Sequence, residues 1–153
     1  MSDLLWQLGA METAELISKK DVSTREVIKN HLERLTEVNP KINAITRSLN
    51  DEAMEMAILA DEKISRNEQI GPLHGVPVTI KDNVDITGQT SPNGVSKLKD
   101  NLAPANSPVV DNLLKAGAIP IGRTNTPEFS LRWHTGNPPV SYTHLTLPTT
   151  LSV

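Results

Sequence analysis

The chain has 153 residues, with 15 Lys plus Arg against 18 Asp plus Glu and a formal net charge of -3. That balance argues against simple binding to a phosphate backbone. Its 37% hydrophobic content is enough for a core that, at 3% aromatic, must be aliphatic, and the absence of cysteine excludes a disulfide scaffold, a thiolate metal site and a cysteine nucleophile.

The segment from Met1 to Trp6 lacks the basic flank and long apolar stretch of a signal peptide. No apolar run approaches the roughly 20 residues of a membrane span, so the expected location is the cytoplasm. Ser23-Thr24-Arg25-Glu26 has the spacing of a capping box, in which a Ser hydroxyl and a Glu carboxylate satisfy orphan helix N–H groups reciprocally. Val27, Ile28, His31, Leu32, Leu35 and Val38 then share a helical face, and Asn39-Pro40 is expected to stop that helix. Residues 42–46 are short and β-leaning. Asp51-Glu52 suits the positive end of a further helix, with Ala53, Ala57, Ala60 and Ile64 as a slim stripe for close packing.

Residues 71–77 form a turn-rich loop, and residues 76–80 read as a strand ending at Lys81. Residues 88–106, rich in Gly, Pro, Ser and Asn, are expected to be a long irregular loop. Ser107 as N-cap, Pro108 at the first helical position and Asp111 in the first turn open another helix, carried by Leu113 and Leu114 and ended by Gly117. Residues 118–121 are a short buried strand, and Thr126-Pro127-Glu128 starts a helical turn. Strand, helix, strand in this order predicts an α/β sheet.

Several familiar sites are absent: no phosphate loop, no G-x-G-x-x-G, no G-x-S-x-G elbow and no paired-histidine zinc motif. His31, His74, His134 and His144 lack metal-ligand spacing and read as packing or surface groups. Asp82 and Asp85 read as solvated turn formers. Lys81 supports two readings from its setting. It could present its amine at the C-terminal edge of the sheet, with burial disfavouring the ammonium, as a general base requires. Equally, it could be an ordinary strand-end lysine that snorkels to water.

The run from Gly71 through Lys81 to Asn83, GPLHGVPVTIKDN, resembles the N-terminal signature of the amidase signature family. The run from Ser107 to Phe129 resembles the helix, strand and turn that follow it in that family, and Val38-Asn39-Pro40-Lys41-Ile42-Asn43-Ala44 is similar to an earlier block. This resemblance spans nearly all of residues 1–138. It implies an α/β fold with a mixed sheet flanked by helices, here the incomplete N-terminal part, and hydrolysis or transfer of carboxylic amides by a Ser, cis-Ser, Lys triad. Lys81 would be the triad lysine, drawing a proton through the bridging serine so that the second serine attacks the amide carbonyl. No metal or organic cofactor is implied. The implied partners are a small-molecule amide and, in the full-length enzyme, a second copy in a homodimer, with no direct nucleic-acid binding and no membrane. His74 and Asp82 are expected to support the loop and strand end.

The resemblance stops short of both serines and the oxyanion donors. The Gly-Ser-rich stretch that carries them in the family should follow Gly136-Asn137-Pro138 and has no counterpart here. Ser141 and Ser152 lie in no matching context, and Ser91, Ser96 and Ser107 come too early, so the chain as written is expected to be inert. A runner-up within the family is the A subunit of glutamyl-tRNA(Gln) amidotransferase, although residues 129–134 look more like a stand-alone amidase. A non-catalytic interaction module that keeps the framework is the alternative from another class.

Arg132 is the last formally charged residue, leaving the 21 residues from Trp133 to Val153 uncharged. Residues 140–149, VSYTHLTLPT, are what GTC TCT TAT ACA CAT CTG ACG CTG CCG ACG encodes, which resembles a transposon-end sequencing adapter read in one frame. The adapter's continuation accounts for Thr150, two index-encoded residues (Leu151 and Ser152), Val153 from GTG and a TAG stop. The expected division is therefore 1–138 as the N-terminal part of an amidase domain and 139–153 as a non-native tail, with Pro139 a hybrid codon.

Overall fold

In the computed structural model, residues 2–133 and 135 are described. The expected join at 138–139, the tail, His134, His144, Ser141 and Ser152 lie outside the described residues.

A 3-10 turn over Ser2–Gln7 leads into a short helix, α1 (Ala10–Ser18), that the local patterns above do not anticipate. Its N-cap is Gly9, which has no side chain to bond the first turn, so what holds α1 is packing: Ile17 is buried against Leu5 and Val27. Helix α2 (Thr24–Ile42) begins as expected. The Ser23 hydroxyl accepts from the Glu26 backbone N–H at 3.2 Å, and the Glu26 carboxylate accepts from the Ser23 N–H at 2.8 Å. Val27, Ile28 and Leu32 are buried on its inner face, while His31 is half-buried and bonds the Val27 carbonyl at 2.8 Å.

Helix α2 does not stop at Asn39-Pro40. It runs to Ile42 and closes on Asn43, which adopts a left-handed conformation (φ 45°) and donates its backbone N–H to the Asn39 carbonyl. Proline in a last turn forfeits only one ladder bond, and its fixed φ is compatible with the helix, so the αL-tolerant Asn43 sets the end. The Asn39 side chain instead works across the turn. Its amide donates to the Ile45 carbonyl and its oxygen accepts from the Ile45 N–H, both at 2.9 Å, as a neighbouring strand would. This pins strand β1 (Ile45–Ser48), which starts later than residues 42–46 would suggest.

Helix α3 (Asn50–Ser65) carries Asp51 and Glu52 in its first turn and buries Ala53, Ala57 and Ala60. These small side chains let α3 approach Ile28 and Leu32 of α2, and Ile119 and Ile121 of the sheet, in one aliphatic cluster. Ile64 packs with the second cluster, around Leu5, Ile17 and Val27. Strand β2 (Pro77–Lys81), helix α4 (Pro108–Lys115) and strand β3 (Ile119–Thr124) follow.

Strand β3 is central, parallel to β2 and antiparallel to β1, giving the order β1-β3-β2. The β2–α4–β3 unit is the strand–helix–strand crossover the sequence predicts, and a mixed sheet results from adding β1. The buried run of β3 extends past Ile121 through Gly122 and Arg123, beyond the apolar segment visible in the sequence. Ser107 occupies the N-cap of α4 with Pro108 next, yet its hydroxyl makes no capping bond and is buried without a partner. Val110 is the buried anchor of α4, with Leu113 and Leu114 half-buried. Residues 88–106 form the expected irregular loop, interrupted by a 3-10 turn at Ser96–Leu98 and one bridge between Thr90 and Leu102. A further 3-10 turn, Glu128–Ser130, follows Thr126-Pro127.

Candidate active site

The loop before β2 is held by close backbone contact. Gly117 (φ +91°) ends α4, and a side chain there would sit 2.8 Å from the His74 Cα, so glycine is required both by conformation and by space. His74 is buried, with Nε2 3.1 Å from the Ala60 carbonyl on α3 and its own N–H donating to Gly71 O at 3.2 Å. It supports the loop, as expected. Together these contacts hold the loop that leads into β2.

Lys81 is the last residue of β2, at the C-terminal end of the parallel pair, opposite Thr124 of β3. Its neighbour Ile80 pairs with Arg123. Because side chains alternate along a strand, Lys81 projects to the face opposite Ile80 and Arg123. Ile80 is buried and Lys81 is exposed. The burial that a desolvated base requires is not supplied by residues 2–133.

The inner face at the same level is where the charges are. Asp82 is only 4% exposed and Arg123 1%. The expectation of a solvated turn former therefore fails for Asp82: its carboxylate lies against the buried guanidinium, 3.4 Å from Oδ1 to Nε, and accepts from the Thr46 hydroxyl at 2.8 Å. Its backbone N–H continues the parallel ladder to Thr124 O at 2.9 Å. Asp85, by contrast, is exposed as expected. The 3.4 Å contact is a charge contact without hydrogen-bond geometry, since Arg123 Nε has no hydrogen-bond acceptor.

The other guanidinium nitrogens do bond. One Nη donates to Val84 O at 2.9 Å and to Lys81 O at 3.3 Å, and the other lies 3.4 Å from Gln89 Oε1. Burial pushes the Asp82 carboxyl above the usual carboxylate range, against the Thr46 hydroxyl and the Arg123 charge, which favour ionisation. Burial likewise lowers Arg123, opposed by Asp82, but a guanidinium retains its proton at neutral pH.

Beyond Lys81 the turn is tied to the segment after β3. The Asn83 amide donates to Ser130 Oγ at 2.9 Å, and Ser130 Oγ lies 2.9 Å from Thr126 Oγ1. Phe129 (φ 49°) and Ser130 (φ 60°) both sit in left-handed backbone, a strained pair that side-chain bonds and the Phe129 N–H to Asn93 O contact hold in place. The sequence pattern singles out Lys81 but not Arg123 or Thr46, which the fold brings to the same end of the sheet. A charged residue continuing the apolar run Ile119-Pro120-Ile121-Gly122 was the available signal for Arg123. Among the described residues, no group of three or more metal-ligating side chains occurs, and no helix is long and apolar enough to cross a membrane.

An α/β chain that ends a parallel strand in a lysine, with a buried ion pair beneath it, matches known proteins along most of its length. The chain belongs to the Amidase family, whose model matches residues 26–152. It is 48% identical to indoleacetamide hydrolase of Bradyrhizobium diazoefficiens over 134 residues, which are 88% of this chain and 26% of that protein. It is 40% identical to the glutamyl-tRNA(Gln) amidotransferase A subunit of Thermoanaerobacter pseudethanolicus, over 87% of this chain and 27% of that one. Among solved structures, a bacterial aryl acylamidase of the amidase signature family superposes with a TM-score of 0.75 at 30% identity, over 80% of this chain and 26% of that one. Fatty acid amide hydrolase shares the fold, with a TM-score of 0.88 at 24% identity, over 93% of this chain and 25% of that one. The chain spans about a quarter of the length of these relatives.

Proposed function

We propose that residues 1–138 are the N-terminal part of an amidase that hydrolyses a carboxylic amide to an acid and ammonia or an amine, with Lys81 as the base of a Ser, cis-Ser, Lys triad. The observation that carries this reading is the placement of Lys81 at the C-terminal end of β2, within the block that resembles the family signature. Open α/β sheets place ligands at that edge. Neutral Lys81 takes a proton from the bridging serine, which takes one from the nucleophilic serine as that oxygen attacks the amide carbonyl. The tetrahedral intermediate collapses with cleavage of the C–N bond as the proton returns from Lys81 through the bridging serine to the leaving nitrogen, and water then hydrolyses the acyl-enzyme to the acid. Both serines and the oxyanion donors belong to sequence outside this chain, and the exposure of Lys81 agrees with a site whose cover lies there too. The chain of 153 residues is accordingly inert by itself, and the protein works in the cytoplasm on a small amide, the full-length enzyme as a homodimer.

The test is the full-length gene. It should resume with a Gly-Ser-rich stretch after the position of Pro138, and Lys81→Ala in that enzyme should abolish amide hydrolysis while the protein still folds. Retained hydrolysis would remove Lys81 from the mechanism. The 40% identity to an amidotransferase A subunit supports a second reading, in which ammonia from an amide is passed to a glutamyl-tRNA. Companion subunit genes beside this one, and glutaminase activity that depends on them, would favour it. Residues 139–153 are a translated adapter in this account, although the family match runs nominally to residue 152. The nucleotide record decides it: a codon other than CCT at Pro139, or a stop other than TAG, sinks the adapter origin.

A further inference from the structure

We propose that Arg123 and Asp82 are positioning residues for Lys81, forming a buried clamp that sets the backbone from which the lysine projects. The proposal rests on the reading of Lys81 as the base. Three observations carry it. First, Arg123 bonds the main chain on both sides of Asp82, through Lys81 O at 3.3 Å and Val84 O at 2.9 Å. Second, Asp82 links all three strands at this level: it follows β2 directly, bonds Thr124 O of β3 through its N–H, and accepts from Thr46 of β1. Third, both charges are nearly inaccessible and face away from Lys81, so neither is available to touch a substrate on the lysine side.

A strand end is where a sheet frays, because beyond its last rung the backbone has no ladder partner. Here the chain turns immediately: Val84 N–H bonds Lys81 O at 2.9 Å. The carbonyl of Lys81 thus receives a turn bond and a guanidinium bond together. A forked, planar donor can bond two carbonyls and the Gln89 side chain while its charge lies against a carboxylate, whereas a lysine ammonium at the same position would be a single point donor. The clamp therefore holds the Lys81 Cα by geometry and not by charge alone. That explains a buried ion pair on the closed face of a strand whose chemistry is on the open face. Displacing a catalytic group by about 1 Å is enough to lower turnover about a hundredfold.

The experiment has two arms. In the full-length enzyme, amide hydrogen exchange is followed at Val84 and Asp82, with Ile119, whose N–H bonds Val76 O at 2.9 Å, as the reference at the other end of the sheet. Arg123→Lys should speed exchange at Val84 and Asp82 about tenfold or more and leave Ile119 unchanged. Uniform acceleration, or none, overturns the clamp. Thr46→Val, which removes only the hydroxyl bond to Asp82, gives the same local reading if Arg123→Lys does not fold.

In the full-length enzyme, Arg123→Lys should lower kcat about a hundredfold with KM within about twofold. Unchanged kcat in Arg123→Lys, with Lys81→Ala dead, overturns the positioning role alone. An active Lys81→Ala overturns the triad reading instead, and the exchange arm then still reports whether the clamp exists.

Discussion

Removing one charge of a buried pair leaves the other without compensation. Arg123→Met should therefore destabilise the chain by about 3–5 kcal/mol, measured by denaturant unfolding, because Asp82 would remain buried with only the Thr46 hydroxyl to bond it. A loss below about 1 kcal/mol would mean that water reaches the carboxylate. His31 contributes to the pH dependence near neutral pH. Burial holds its imidazole below the usual histidine range, against the Val27 carbonyl bond, which favours the charged form. A depressed folded-state value means that the unfolded chain binds the proton more readily. Its stabilisation is thus complete above about pH 6.5 and is lost as pH falls through the lower folded value. His31→Gln should flatten that acid slope, and an unchanged slope would assign it to other groups. Of these residues, Lys81 and His31 were legible from position in a strand or on a helix face. The Asp82–Arg123 pair was not, since 41 positions separate its members and only the β2–β3 register brings them together.

Local chemistry decided the element boundaries where it was strong. Ser23→Ala removes half of the capping box and should cost about 1 kcal/mol, read as a lowered denaturation midpoint with the unfolding slope unchanged. Gly117→Ala should cost about 1–3 kcal/mol, since alanine there meets both a positive φ and the His74 backbone. If Gly117→Ala were neutral, the turn into β3 would have to be looser than its contacts imply. The capping box, the Pro-led start of α4 and the alanine stripe of α3 could all be read from sequence because each is a short-range pattern. Helix α2 ends at Asn43 and not at Asn39-Pro40, because a proline in the last turn is tolerated and the left-handed cap comes three residues later. Helix α1 escaped notice because its stability comes from Leu5 and Val27, which lie outside it, and not from its own caps.

At the scale of the whole molecule, β2 is an edge strand among the described residues, and Leu59, Leu102, Val109, Phe129 and Leu131 are largely exposed. An unpaired strand edge together with apolar surface favours association, so the 153-residue chain expressed by itself should be poorly soluble. A sharp, cooperative melt of purified monomer would contradict that. By itself, the sequence determined the α/β class, the family and the lysine that ends β2, because these reside in short contiguous patterns of apolar spacing, turn residues and signature blocks. The tertiary structure alone decided that Lys81 lies exposed on one face while Asp82 and Arg123 are sealed on the other. Strand pairing joins residues that are far apart along the chain, and burial is a property of what packs around a residue and not of the residue itself.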